Sequence, residues 1–421
     1  MIKIGLIQGN GSDLVGGGSI QQEYNFWADS QRDIELINYI HIKNNSITRS
    51  YKEKEIAGRK LKNVVEFNLK SDCTVFNDVD VLIILTYPFL DTLKDKELNS
   101  QWYYNALSEF KSNKDRWLGV LCYDYKKEVV LNNLGIYNTK LYEIADKIWV
   151  NNKRNPLVEY LYKNSNITED KFYFSCPQFM SSTKSNWKDS KDKKMNWLYY
   201  QGRSLPWKGW RELLSLSRHL LDYNLIFNGV LPYNKASRNY LTYVDTFYNT
   251  NQNHSDRMDY NAFYDKFLYR DDLRKPVELY GYYDPATANE ITSLAGFAMY
   301  YTILNPDNNF FPEYALIDAV RNGTVVILPS WYFAPEKFQD DSAYKKEDRI
   351  TTTRIIDLEP EEAGFLTYNY LVDDYKQLEE KLNKLKNDSN LYNEYREKAF
   401  NYMIKHHGAN EKIRKFLNNG K

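Results

Sequence analysis

The chain has 421 residues with 56 basic and 56 acidic side chains, so its formal net charge is zero, and 43% of it is apolar. That length exceeds what one hydrophobic core organises and suits two α/β domains, while no span is apolar and long enough to cross a bilayer. Three scattered cysteines, Cys73, Cys122 and Cys176, exclude a disulfide framework or a cysteine-based zinc site and read as buried small hydrophobes.

In chain order, residues 2–7 form a β-branched run that reads as a strand starting directly after Met1. No signal peptide precedes it, which predicts a cytoplasmic protein. The glycines of Gly9-Asn-Gly11 and Gly16-Gly-Gly18 do not fit the dinucleotide fingerprint; they read as a long loop before a helix over 18–30. Further short apolar runs at 36–42, 64–68, 81–86, 118–122 and 147–150 alternate with helical patterns at 98–113 and 137–145, as in a parallel sheet. Within this half, residues 43–62 hold Lys43, Arg49, Lys52, Lys54, Arg59, Lys60 and Lys62 against only Glu53 and Glu55. Such a block either grips phosphates, with Lys43, Arg49 and Lys52 as the candidate contacts, or is a solvated loop. Asp78-Val-Asp80 has the form of a metal-holding triplet, but it directly precedes a strand and reads as a turn cap, so no metal site is expected.

Residues 181–194 are polar, carry Lys184, Lys188, Lys191, Lys193 and Lys194, and read as an interdomain linker. Beyond it lies a strand at 197–201, then Gly202-Arg203 and Lys208-Gly209, with Trp210, Leu213, Leu214, Leu216 and Leu220 recurring at helical spacing. Two cations beside a strand-to-helix turn make either a seat for a diphosphate, where helix N–H groups and the macrodipole favour an anion, or a solvated cation pair. Strands follow at 225–228, 277–280, 298–304 and 325–328; residues 237–274 are a polar, aromatic insertion to which no element is assigned. In Phe311-Pro-Glu-Tyr-Ala-Leu-Ile-Asp318 a short helix carries Glu313 and Asp318 and ends at Gly323, a left-handed position. A cationic turn and an acidic helix in one α/β half suit a sugar-nucleotide donor: cations for the diphosphate, carboxylates for the hydroxyls of ribose and sugar. The helix-rich end, 375–417, crosses back to the first domain, and His406-His407 reads as a solvated pair complementing a helix dipole.

These motifs, in this order, resemble the retaining glycosyltransferases with two Rossmann-like domains, and among them the phage DNA α-glucosyltransferases. Residues 2–7 with Gly16–Trp27, Lys43–Ser50, Asp80–Leu85, Cys122-Tyr-Asp-Tyr-Lys126, Gly202–Gly209, Ser293–Phe297, Glu313–Thr324 and Tyr395–His406 carry the resemblance. It implies an α/β fold of two facing Rossmann-like domains, the GT-B type: 1–180, completed by 395–421, for the acceptor, and 195–394 for the donor. It further implies an enzyme that moves glucose from UDP-glucose, with retention, to the hydroxymethyl group of a modified pyrimidine in duplex DNA; the alternative is a small-molecule, lipid or glycan acceptor. No cofactor beyond the donor is implied. Arg203 and Lys208 would neutralise the leaving diphosphate and Asp124 would hold the sugar or acceptor hydroxyl. Gly17, Gly18, Ser19, Glu313, Tyr314 and Asp318 would line the donor. The chain departs from the pattern at Phe310, where the broad family has a glutamate, at Asp318, one methylene shorter than the usual second glutamate, and at Tyr123, where the phage enzymes have histidine.

Overall fold

The computed structural model describes residues 1–8, 14–42, 48–56, 59–85, 96–122, 136–182, 187–188, 192–201, 219–220, 222–228, 278–280, 285–300, 311–335, 354–368 and 375–418. The chain divides into two compact units: unit 1 comprises Met1–Lys184, Asp307–Pro312 and His407–Lys421, and unit 2 comprises Ser185–Pro306 and Glu313–His406. The final stretch assigned to unit 1 begins at His407. No described helix is long and apolar enough to cross a membrane.

In unit 1 the elements are β1 (Ile2–Gln8), α1 (Leu14–Asp29), β2 (Ile34–His41), β3 (Arg49–Ile56), β4 (Arg59–Phe67), β5 (Val81–Leu85), α2 (Lys96–Ser112), β6 (Trp117–Leu121), α3 (Ile136–Ile144), β7 (Lys147–Val150), α4 (Pro156–Asn164) and β8 (Phe172–Phe174). The sheet runs β3-β4-β2-β1-β5-β6-β7-β8. All its pairs are parallel except β3 with β4. Central strands covered on both faces need near-continuous apolar sequence. They have it: Leu6, Ile7, Leu82, Ile83, Ile84, Leu118, Ile148 and Trp149 are fully buried. Strand order reverses between β1 and β5, the switch point of a doubly wound sheet, where ligands bind beyond the carboxyl ends of the strands.

One defect in this sheet is filled by amides. Asn63 takes φ 47°, and the β2–β4 pairing starts only at Asn38↔Val64. The Lys62 carbonyl instead accepts from Asn38 Nδ2 at 2.7 Å, and Asn38 also bonds Gln21 (2.9 Å) and Asn25 (3.0 and 3.1 Å) on α1. The amide gives the Lys62 carbonyl a donor next to the left-handed Asn63, where a buried carbonyl left without one would cost about 1–3 kcal/mol.

Unit 2 contains β9 (Lys194–Gln201), β10 (Asn224–Asn228), β11 (Glu278–Tyr280), α5 (Pro285–Leu294), β12 (Ala295–Met299), α6 (Tyr314–Arg321), β13 (Val325–Pro329), α7 (Pro360–Ala363), β14 (Leu366–Tyr368), α8 (Tyr375–Asn387) and α9 (Ser389–His407), whose last residue falls in unit 1. Its sheet, β11-β10-β9-β12-β13-β14, is parallel throughout, with the switch between β9 and β12. Gly296 sits at a register shift where a Cβ would lie 2.8 Å from Met195 Cα, so only glycine lets β12 approach β9 there.

The last helix, α10 (Ala409–Asn418), is tied into unit 1. Phe416 packs on Trp117 and Trp149, Asn410 accepts from Trp27 Nε1 at 2.8 Å, and the buried Lys412 donates to the Cys176 and Gln178 carbonyls at 2.8 and 2.7 Å. Burial pushes the Lys412 pKa down to about 8.

Several sequence expectations are corrected. Residues 49–62, for which a solvated loop is one of the two readings, belong mostly to the hairpin β3–β4. The helix expected from residue 18 starts at Leu14, so Gly16-Gly-Gly18 is helical rather than a loop. β12 starts at Ala295, ahead of the run expected at 298–304. His407 is not a solvated residue: it packs on Phe311, while His406 stacks on Tyr402. Of the cysteines, only Cys122 is fully buried; Cys73 and Cys176 are half-buried.

Candidate functional site

In unit 2 the carboxyl end of β9 lies at the switch point and leads directly into Gly202-Arg203. Its last residue, Gln201, pairs with Asn228 on β10, and the preceding Tyr200 pairs with Met299 on β12. Tyr199 and Gln201, two apart on the strand, share a face. The Tyr199 hydroxyl donates to Gln201 Oε1 at 3.1 Å, and Gln201 Nε2 approaches Asp318 Oδ2 at 3.5 Å, the long end of a hydrogen bond. Asp318 Oδ1 pairs with Arg321 Nη1 at 3.3 Å. The strand end and the acidic helix, far apart in sequence, thus share one polar cluster.

Helix α6 forms because Leu316, Ile317, Ala319 and Val320 make a buried stripe, which leaves Asp318 half-exposed beside the strand end. Glu313 is its N-cap, with extended backbone and no side-chain cap bond, and its carbonyl accepts from Ile317 N at 3.1 Å. Tyr314 opens the helix. Because α6 leads into the parallel strand β13, its N-terminus lies at the same edge of the sheet as the end of β9, and its N–H groups favour an anion there.

The other end of α6 is fixed by a buried hub. Gly323, at φ 64°, lets Gly323 N bond Val320 O (3.0 Å) and Thr324 N bond Ala319 O (2.9 Å), a Schellman ending. Lys193 Nζ donates to Thr292 O (3.1 Å), Asn322 O (2.9 Å) and Thr324 Oγ1 (2.8 Å). It therefore lies at the C-terminal ends of both α5 and α6, where a cation suits the dipoles. Burial first, and the neighbouring Arg396 guanidinium second, push its pKa down to about 6. Lys193 falls in the polar stretch that reads from sequence as an interdomain linker. Its neighbour Lys194 lies 3.8 Å over the Trp197 ring, so these two lysines anchor β9 rather than extend a flexible segment.

In unit 1, Gly17, Gly18 and Ser19 lie within α1, directly after β1 and the switch point. The amides that a helix leaves without helical partners precede Gly17, so what Gly17 and Gly18 offer a ligand is the lack of a side chain. On β3, Lys54 pairs with Glu66, and on β4 Lys62 pairs with Asp29 at 3.0 Å. Those two pairs neutralise part of the basic block; Arg49 and Lys52 remain exposed cations on the hairpin. Asp80 accepts from Lys3 N at 2.9 Å, a structural tie between β1 and the start of β5. Among the described residues no cluster of histidine, cysteine or carboxylates could hold a metal ion.

Asp124, Arg203, Lys208, Lys43 and the insertion 237–274 lie outside the described residues. The structure brings Asp318 together with Gln201, Tyr199 and Arg321, none of which the sequence had singled out. Gln201 had one available signal: it occupies the last position of the strand that leads into the cationic turn.

No protein-family model and no curated sequence matches the chain. Solved structures share its fold over the full length. An α-glucosyltransferase in complex with UDP and a 13-mer DNA containing an HMU base has TM-score 0.70 and 17% identity, covering 100% of this chain and 99% of that one. An α-glucosyltransferase in complex with UDP-glucose and DNA containing an abasic site has TM-score 0.68, 16% identity and coverage of 100% and 99%. A UDP-forming α,α-trehalose-phosphate synthase from Burkholderia xenovorans has TM-score 0.56, 10% identity and coverage of 100% and 99%. The fold is that of the GT-B glycosyltransferases, two Rossmann-like units.

Proposed function

We propose that the protein is a retaining glycosyltransferase that moves glucose from UDP-glucose to the hydroxymethyl group of a modified pyrimidine in duplex DNA, in the cytoplasm. The observation that supports this most is the end-to-end likeness to the α-glucosyltransferase complexes with UDP, UDP-glucose and DNA. It combines with an acidic helix meeting the strand end that leads into Gly202-Arg203. In this reading unit 2 binds the donor. Asp318 accepts from the ribose hydroxyls, and Glu313 and Tyr314 face the diphosphate or sugar from the start of α6. Arg203 and Lys208 neutralise the diphosphate, where negative charge grows as the anomeric carbon–oxygen bond breaks, so preorganised cations lower the barrier. The leaving phosphate oxygen takes the acceptor proton on the same face as the new bond, giving retention, while Asp124 holds the sugar or acceptor hydroxyl. Gly17, Gly18 and Ser19 let the backbone approach the diphosphate. The reading uses no metal or other cofactor.

Unit 1 takes the DNA, with Lys43, Arg49 and Lys52 on phosphates and the modified base swung out of the duplex. A second reading, transfer to a small-molecule, lipid or glycan acceptor, draws on the same fold in the trehalose-phosphate synthase. The test is to incubate labelled UDP-glucose with unmodified DNA, hydroxymethylated DNA, sugar phosphates and lipid extract. Label retained on hydroxymethylated DNA alone, in α-linkage, is the expected result. Label on a sugar phosphate or lipid favours the second reading, a β-linked product removes retention, and no transfer to any acceptor overturns both. Neutralising Lys43, Arg49 and Lys52 together should lower DNA affinity across sequences. Each lost phosphate contact should reduce the slope of log affinity against log salt by about 0.9.

A further inference from the structure

We infer that Gln201 is a positioning residue for donor recognition: held by Tyr199, it orients the Asp318 carboxylate toward the ribose hydroxyls and so sets selectivity for ribose over deoxyribose. This rests on the reading of unit 2 as the donor-binding unit. Gln201 bridges Tyr199 and Asp318, and its amide can be turned end for end. The Asp318 carboxylate, which only accepts, sets its sense. The hydroxyl of Tyr199, a residue 1% exposed, donates to Gln201 Oε1 and so holds the amide while its N–H groups face Asp318 Oδ2. Turned the other way, the amide oxygen would face the carboxylate and two acceptors would repel.

Asp318 is thereby held at both oxygens from opposite sides, Oδ1 by Arg321 at 3.3 Å and Oδ2 by Gln201 at 3.5 Å. Both distances exceed the 2.7–2.9 Å usual for bonds to a charged group, and the side chain keeps 26% exposure. Such contacts steer the plane of the carboxylate. A vicinal diol bonds well only when that plane is set, because its two hydroxyls must reach the carboxylate together. Arg321 sits on α6 itself and moves with Asp318; Gln201 is on the sheet, so it registers the carboxylate against the strand end.

Binding of UDP and of 2′,3′-dideoxy-UDP is measured by calorimetry for the wild type, Gln201→Leu, Tyr199→Phe, Asp318→Ala and the Gln201→Leu/Asp318→Ala double variant, with thermal unfolding of each. Gln201→Leu should weaken UDP about tenfold, the loss of one hydrogen bond to a charged group, and leave dideoxy-UDP unchanged. Tyr199→Phe, which removes a single oxygen, should act in the same direction and covers the case in which Gln201→Leu unfolds. In the Asp318→Ala background the Gln201 substitution should have no further effect, and in turnover it should raise KM for the sugar nucleotide with kcat unchanged. Unchanged UDP affinity in Gln201→Leu and Tyr199→Phe, equal weakening of both nucleotides, or a full Gln201 effect without Asp318 overturns the inference while wild-type UDP binding stands. A wild type that binds neither UDP nor any other nucleoside diphosphate overturns the donor reading itself.

Discussion

Gly323→Ala tests the hub that fixes the acidic helix. At φ 64° an alanine costs about 1–2 kcal/mol in backbone strain alone. Its Cβ would lie 2.6 Å from Arg396 Nη2, 2.7 Å from Arg396 Nε and 2.8 Å from Trp187 Cα. Ordinary contact needs about 3.5–4.0 Å, so the guanidinium must give way by about 1 Å. Arg396 is buried and tied to Asn393 Oδ1 at 2.8 Å, which makes that displacement costly. Overpacking of this kind adds about 1–3 kcal/mol, for a total of roughly 2–5 kcal/mol. In a unit of this size each kcal/mol moves Tm by about 2–4 °C, so Gly323→Ala should unfold roughly 4–20 °C earlier in a calorimetric scan. A double-mutant cycle separates the two causes. With Arg396→Ala present, the part of the penalty due to the guanidinium should vanish, while the backbone strain and the contact with Trp187 Cα persist. A shift below about 2 °C, or strictly additive effects in the cycle, would refute the packing argument.

Lys412 gives a pH dependence with a defined sign. The unfolded chain keeps the lysine proton to about pH 10.5 while the folded state releases it near pH 8, so between these values the unfolded state binds more protons and stability rises with pH. The wild type should gain about 3 kcal/mol relative to Lys412→Met across that window in urea unfolding, and below pH 8 the difference should be flat; parallel curves throughout would remove the assignment. Asn38→Leu should cost roughly 2–4 kcal/mol, because it strands the Lys62 carbonyl and the Gln21 and Asn25 amides, and replacing Gln21, Asn25 and Asn38 together by leucine should recover part of the loss. Thermal unfolding of the single and triple variants checks this, and a neutral single variant would mean that water already serves those groups.

Apolar runs such as 81–86, 118–122 and 325–328 announced the central strands, because a strand covered on both faces has no polar alternative for its side chains. Gly323 announced the end of α6, since a left-handed residue is a local demand that sequence states directly. The likeness to two-domain transferases was legible for the same reason: order and spacing of local signals survive where identity does not. Tertiary structure decided the rest. Arg49–Ile56 alternates charges and has no apolar stripe, yet it is a strand because β4 pairs with it and Glu66 takes up Lys54. Lys193 reads as part of a polar linker, yet two helix ends close on it, one of its acceptors being 131 residues away. Gln201 meets Asp318 across 117 residues. Periodicity reports which face of an element is buried. It does not report what another element brings to that face, and in this chain the polar cluster around Asp318 is made by such meetings.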